Sequence, residues 1–183
     1  APFTFIVKPD VMAPGVNILS SVMTSDPLAG VLTQGWELYA GTSMAAPHVA
    51  GAAAALLGEH DWSPRQVKSA LVTTADDSKP DLSVFHQGGG LVDLVAADGA
   101  DVFFYPSNAS FGVMKGNKPA NGSIDIAISE SGCSATAGGS SYVSAEVDGV
   151  VLTVEFAGAR DADTGFYGGY VDVQCDGGSY HLP

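Results

Sequence analysis

Positive charge is the scarcest commodity in this sequence. Seven Lys and Arg stand against 20 Asp and Glu in 183 residues, a formal net charge of −13 at pH 7. Nucleic acid and anionic membrane surfaces both need a basic footprint, so the charge balance argues against either as a partner. Long apolar runs are also absent. No stretch approaches the ~20 apolar residues of a membrane span, and the most apolar one, Ala50 to Leu57, is short and alanine-rich. No signal peptide is visible, as expected if the start of a precursor is absent. Cysteine is limited to Cys133 and Cys175, too few to make a zinc site without other ligands. What is present is apolar content of 46%, ample for a packed core and incompatible with a disordered segment. The length suits one sizeable domain or two small ones.

The chemistry-bearing segment is Gly41-Thr42-Ser43-Met44-Ala45-Ala46-Pro47-His48-Val49-Ala50-Gly51. Gly41 permits the unusual dihedrals of a tight entry turn. Thr42 and Ser43 stand where a capping residue would, ahead of a run from Met44 to Leu57 that reads as a buried, closely packed helix. Pro47 is expected in its first turn, where a missing N–H costs little. Ser43 is thereby placed at a helix N-terminus, whose free N–H groups favour developing negative charge. A plain capped core helix would satisfy a bare Thr-Ser before alanines. The whole eleven-residue segment resembles the nucleophile segment of subtilisin-like serine proteases.

Two flanks share that resemblance, which covers about residues 6–98. Lys8-Pro9-Asp10-Val11-Met12-Ala13-Pro14-Gly15-Val16-Asn17-Ile18 looks like the family's strand and turn before the nucleophile, and Gly88-Gly89-Gly90-Leu91-Val92-Asp93 with Ala96-Ala97 its closing glycine stretch and short helix. The resemblance implies that Ser43 is the nucleophile and that its backbone N–H is an oxyanion donor. It places Gly41 and Thr42 beside the substrate. The family's Asp-Ser/Thr-Gly and Gly-His-Gly-Thr-His motifs and its oxyanion Asn belong upstream, and neither motif stands ahead of Ser43 here. Asp10 does not inherit the acid's role. His48 matches a structural histidine of the motif, and His60, His86 and His181 read as surface residues. Trp36, Leu38 and Tyr39 read as strand core, with a lining of the substrate cleft as the other reading.

Ser63-Pro64-Arg65-Gln66 offers a cap, a proline at the first helical position and a capping-box glutamine, with Val67, Ala70 and Leu71 at helical spacing behind it. Beyond Gly99 the period changes to two. Ile124, Ile126 and Ile128 alternate, as do Val150, Leu152, Val154 and Phe156, then Val171, Val173 and Cys175. Turn-rich stretches, Ser131–Ser141 and Ala157–Gly165, separate them, so a small antiparallel sandwich is expected. Phe166-Tyr167-Gly168-Gly169-Tyr170-Val171 resembles part of the fibronectin type III-like domains that follow some large subtilisin-like proteases.

In an exported protein Cys133 and Cys175 suggest a disulfide, the alternative being two buried thiols in separate strands. Asp161-Ala162-Asp163-Thr164-Gly165 offers alternating carboxylates suited to calcium, and fits a solvated hairpin turn equally well. Asn108-Ala109-Ser110 and Asn121-Gly122-Ser123 match the glycosylation acceptor pattern.

These observations predict an α/β unit over residues 1–99, the second half of a subtilisin-like catalytic domain, followed by an all-β sandwich over 100–183. The resemblance implies a fragment of a secreted endopeptidase that acts on peptide bonds, with side esterase activity. It implies no cofactor for catalysis and leaves room for structural calcium in the parent protein. Its partners would be a protein substrate and the missing N-terminal part of the catalytic domain, without whose Asp, His and Asn the chain would be inactive. The rival reading is a noncatalytic binding or structural piece whose sandwich carries the function.

Overall fold

The structure, a computed structural model, describes residues 7–22, 35–77, 82–112, 121–157 and 167–183. In chain order the elements are β1 (Ile18–Ser21), β2 (Trp36–Tyr39), α1 (Thr42–Glu59), α2 (Pro64–Thr73), α3 (Val84–Gln87) and α4 (Leu94–Asp98), then β3 (Phe104–Tyr105), β4 (Asn121–Ile128), β5 (Ser134–Ala137), β6 (Val143–Asp148), β7 (Val151–Ala157), β8 (Val171–Cys175) and β9 (Gly178–Leu182). Helices thus precede strands, apart from one antiparallel pair, β1–β2.

The Ser63 signal works as its chemistry dictates. The Ser63 hydroxyl accepts from the Gln66 N–H, the Gln66 side chain accepts from the Ser63 N–H at 2.8 Å, and Pro64 opens α2. Val67, Ala70 and Leu71 are buried, together with Val72. Asp93 caps α4 by accepting from the Val95 and Ala96 N–H groups.

The alanine-rich helix departs from expectation. Of α1 only Ala52 and Leu56 are buried, with Val49 and Ala53 partly so, a single stripe facing α2 and α4. Ala46, Ala50, Ala54, Ala55 and Leu57 face solvent. The strand pair before it is open too: Trp36 and Leu38 are each 62% exposed and Leu19 61%. Trp36, Leu38 and Tyr39 are therefore exposed rather than core here.

Two antiparallel sheets make up the second half, ordered β3-β4-β7-β6 and β5-β8-β9. Ile126 lies opposite Leu152 and Ile124 opposite Val154, so the period-two residues share one face. Val171, Val173 and Cys175 alternate inward along β8 in the same manner. β5 lies inside the stretch read as turns; its Ser-Ala-Thr-Ala sequence alternates only small side chains. Cys133 and Cys175 are joined by a disulfide.

The apolar cluster does not stop at residue 99. Leu56, Val67 and Leu71 belong to the same cluster as Val102, Phe104, Ile126, Leu152, Val173 and Leu182. Polar bonds cross with it: the buried Ser69 hydroxyl accepts the Phe104 N–H at 2.8 Å, and the Tyr180 hydroxyl accepts from Val102 at 3.2 Å.

Candidate active site

Ser43 sits in the first turn of α1, directly after the tight connection from β2, and two glycines shape that connection. Gly41 has φ 154° and ψ 170°, a combination open essentially to glycine alone. Its N–H donates to the Gly15 carbonyl at 2.7 Å, and its own carbonyl accepts from Met44 and Ala45 at 3.0 and 3.3 Å. A Cβ on Gly15 would stand 2.9 Å from the Gly41 oxygen, so the two backbones cross only because Gly15 lacks one.

Gly41 itself is the N-cap, and it brings no side-chain cap. Thr42 and Ser43, read from sequence as capping positions, are instead the first two helical residues, and both are exposed. This leaves the Ser43 hydroxyl uncommitted. The Thr42 and Ser43 N–H groups, the first two of the helix, have no intrahelical partner by position, and no acidic residue in the first turn competes for the positive end of the dipole. Pro47 is the sixth helical residue rather than a first-turn one. It removes the N–H that would reach the Ser43 carbonyl.

Each histidine is engaged elsewhere. His48 donates from Nδ1 to the Met44 carbonyl at 2.7 Å, back along its own helix. His60, at the far end of α1, stacks on Trp62 at 3.9 Å and bonds Asp98 at 2.9 Å. His86 pairs with Ser83 at 2.8 Å. His181 donates from Nε2 to the Gly89 carbonyl at 2.5 Å, so this half-buried residue is not the surface side chain expected. Asp10 lies between Lys8 (2.5 Å) and Lys68 (3.1 Å). Burial pushes its carboxyl up, and the two lysines outweigh that and hold it below the usual carboxylate value. Among the described residues, then, no histidine base is hydrogen-bonded to Ser43.

Residues 3–90 match the model of the Subtilase family. Over 131 residues the chain is 37% identical to the minor extracellular protease Vpr of Bacillus subtilis (strain 168), covering 67% of this chain and 16% of that protein. It is 49% identical over 82 residues to the subtilisin-like protease SBT1.9 of Arabidopsis thaliana (40% of this chain, 11% of that one), and 42% identical over 102 residues to SBT3.6 of the same plant (48% and 13%). Over residues 3–90 the chain is therefore similar to the subtilase family. The chain spans about a sixth or less of the length of these curated relatives.

The subtilase segment ends on its glycines, and there the sequence held more than was read from it. A Cβ on Gly88 would strike the Pro9 and Asp10 carbonyls, one on Gly89 the Val72 carbonyl, and one on Gly90 that of Asp76. Three glycines in a row mark a point where several backbones meet. Tyr170 and His181 bond the carbonyls of this stretch from the sheet side. A groove of about 460 Å³ opens nearby, lined by Thr74, Asp77, Asp93, Ser179 and His181 among others; Ser43 does not line it. Among the described residues no three His, Cys, Asp or Glu group together to hold a metal ion, and no helix is long and apolar enough to cross a membrane. The calcium candidates Asp161 and Asp163 lie outside the described residues, as does an Asp-Thr-Gly triplet at 163–165 that follows Ser43 in the chain.

Proposed function

We propose that this chain is part of a secreted subtilisin-like serine endopeptidase and that Ser43 is its nucleophile. The observation that carries this reading is the exposed Ser43 in the first turn of α1, behind a cap with no side chain. Its oxygen would attack the carbonyl carbon of a bound peptide while a histidine base takes its proton. The Ser43 N–H, free of a helical partner, would donate to the oxyanion, and Gly41 and Thr42 would flank the substrate backbone. The bond to the amide nitrogen then breaks, that nitrogen leaves carrying the proton, and water hydrolyses the acyl-enzyme. Activated esters have a better leaving group than amides and would be cleaved by the same apparatus.

The base, its orienting Asp and the second oxyanion donor would come from the upstream part of the catalytic domain, the chain's chief partner in this reading. The open faces of α1 and of β1–β2 fit a partner of that kind, since apolar surface of this extent marks an interface. Without it the chain would be inactive, because triad members act as a unit. The two sheets correspond in this reading to a fibronectin type III-like sandwich. Export fits the disulfide, the acidic charge and the extracellular relative. Any structural calcium would belong to the parent protein.

The test is pre-steady-state hydrolysis of a p-nitrophenyl ester by a longer protein that carries the upstream motifs. A burst stoichiometric with enzyme, abolished in Ser43→Ala, supports the acyl-enzyme. A burst that survives Ser43→Ala overturns it.

A further inference from the structure

The Gly88–Gly90 stretch is gripped from both sides. From the sheets, the Tyr170 hydroxyl donates to the Gly88 carbonyl at 2.9 Å and His181 donates to that of Gly89, while the two rings meet edge to face at 5.4 Å. Gly168 lets the segment leading into β8 settle against Val84 and Phe85 of α3, where a Cβ would collide. On the other side the same glycines hold residues 9–12. The Gly89 N–H donates to Asp10 at 2.9 Å, the Met12 N–H to Gly90 at 2.7 Å, and the Val92 N–H to Met12 at 2.9 Å. The sheet half also holds the start of that segment, through the Val7 N–H on the Ser110 hydroxyl at 3.0 Å.

From Met12 the path to the nucleophile is short and stiff. Only Ala13 and Pro14 intervene before Gly15. Pro14 has its φ fixed, and Ala13 is biased to extended backbone by the proline after it. Gly15 then accepts the Gly41 N–H, the bond that sets the turn carrying Ser43. Errors in the position of residues 9–12 are thus passed to the serine with little room for relaxation.

We propose that Tyr170 and His181 are positioning residues: the sheet half clamps the Gly88–Gly89 carbonyls and, through residues 9–15, fixes the Gly41–Ser43 turn. The catalytic consequence rests on the nucleophile reading of Ser43. The mechanical claim does not.

NMR-detected hydrogen exchange on the 183-residue chain tests that claim without catalysis. Tyr170→Phe keeps the ring and removes the hydroxyl, with its bond to the Gly88 carbonyl and its contact with the Gln87 side chain. The expected result is roughly three- to tenfold faster exchange at the Gly89, Met12 and Gly41 amides, the range set by one lost hydrogen bond. The Leu71 and Val72 amides of α2 stay unchanged, and His181→Ala gives the same pattern. Acceleration confined to Gly89, or extending equally through α2, overturns the proposal. In the parent protease, Tyr170→Phe lowers kcat several-fold at unchanged KM. An unchanged kcat beside a faster-exchanging Gly41 overturns the positioning role. A parent protease with no activity before substitution sinks the Ser43 reading and leaves the exchange result standing.

Discussion

One methyl group separates the two kinds of glycine in this chain. Added at Gly89 it would run into the Val72 carbonyl, a backbone atom that cannot rotate away. Added at Gly51, inside α1, it meets nothing within 4 Å. Gly89→Ala should therefore destabilise by about 1–3 kcal/mol, the range for overpacking a filled space. Gly51→Ala should stabilise by roughly 0.5–1 kcal/mol, since glycine mid-helix loses the most entropy on folding. Urea midpoints at constant slope measure both. Asp10 makes a third case at this scale. Its folded pKa lies below the unfolded one, so its ion pairs contribute fully above the ordinary carboxylate value near 3.8. That contribution is lost as pH falls through the lower, folded value. Urea melts at a series of acidic pH values should show this loss, and Asp10→Asn should remove that component of the pH dependence.

Among the elements, α2 was legible in full because its signals are local. A cap, a first-position proline and a capping-box glutamine are satisfied within four residues, whatever the rest of the chain does. The period-two strands β4, β7 and β8 were legible for a similar reason, since alternation of Ile126, Leu152 and Val173 already states which face turns inward. The burial of α1 was not, because composition says a surface is apolar and not whether anything covers it. Trp36 and Leu38 repeat that lesson in β2. β5 was hidden in a Ser- and Gly-rich stretch, where small side chains carry no contrast. At the candidate site, Ser43 and Gly41 could be read directly from sequence. The grip of Tyr170 and His181 could not, since it joins residues more than 80 positions apart. The same holds for the joint between α2 and β3. Ser69→Ala would leave the buried Phe104 N–H without its acceptor. A loss of about 1–3 kcal/mol is expected, measurable by denaturant melting.

At the scale of the molecule, one apolar cluster binds the segment similar to subtilases to two sheets, and the disulfide ties the start of β5 to β8 within one of them. Cys133 and Cys175 are 42 residues apart. Closing a loop of that length should stabilise by about 4 kcal/mol in the chain-entropy model. Reduction should lower the urea midpoint accordingly, and the Cys133→Ala, Cys175→Ala double variant should show the lower value with or without reductant. Opposite this well-filled side stand the open faces of α1 and β1–β2, with Ser43 in the first turn of α1. The account's central claim is that this serine is a nucleophile whose base lies outside the 183 residues. Fluorophosphonate labelling with intact-mass detection tests it most directly, on the isolated chain and on a longer protein carrying the upstream motifs, with Ser43→Ala as control. The account predicts a stoichiometric adduct on Ser43 in the longer protein and none in the isolated chain. An adduct on the isolated chain, or an unlabelled Ser43 in the longer protein, would contradict it.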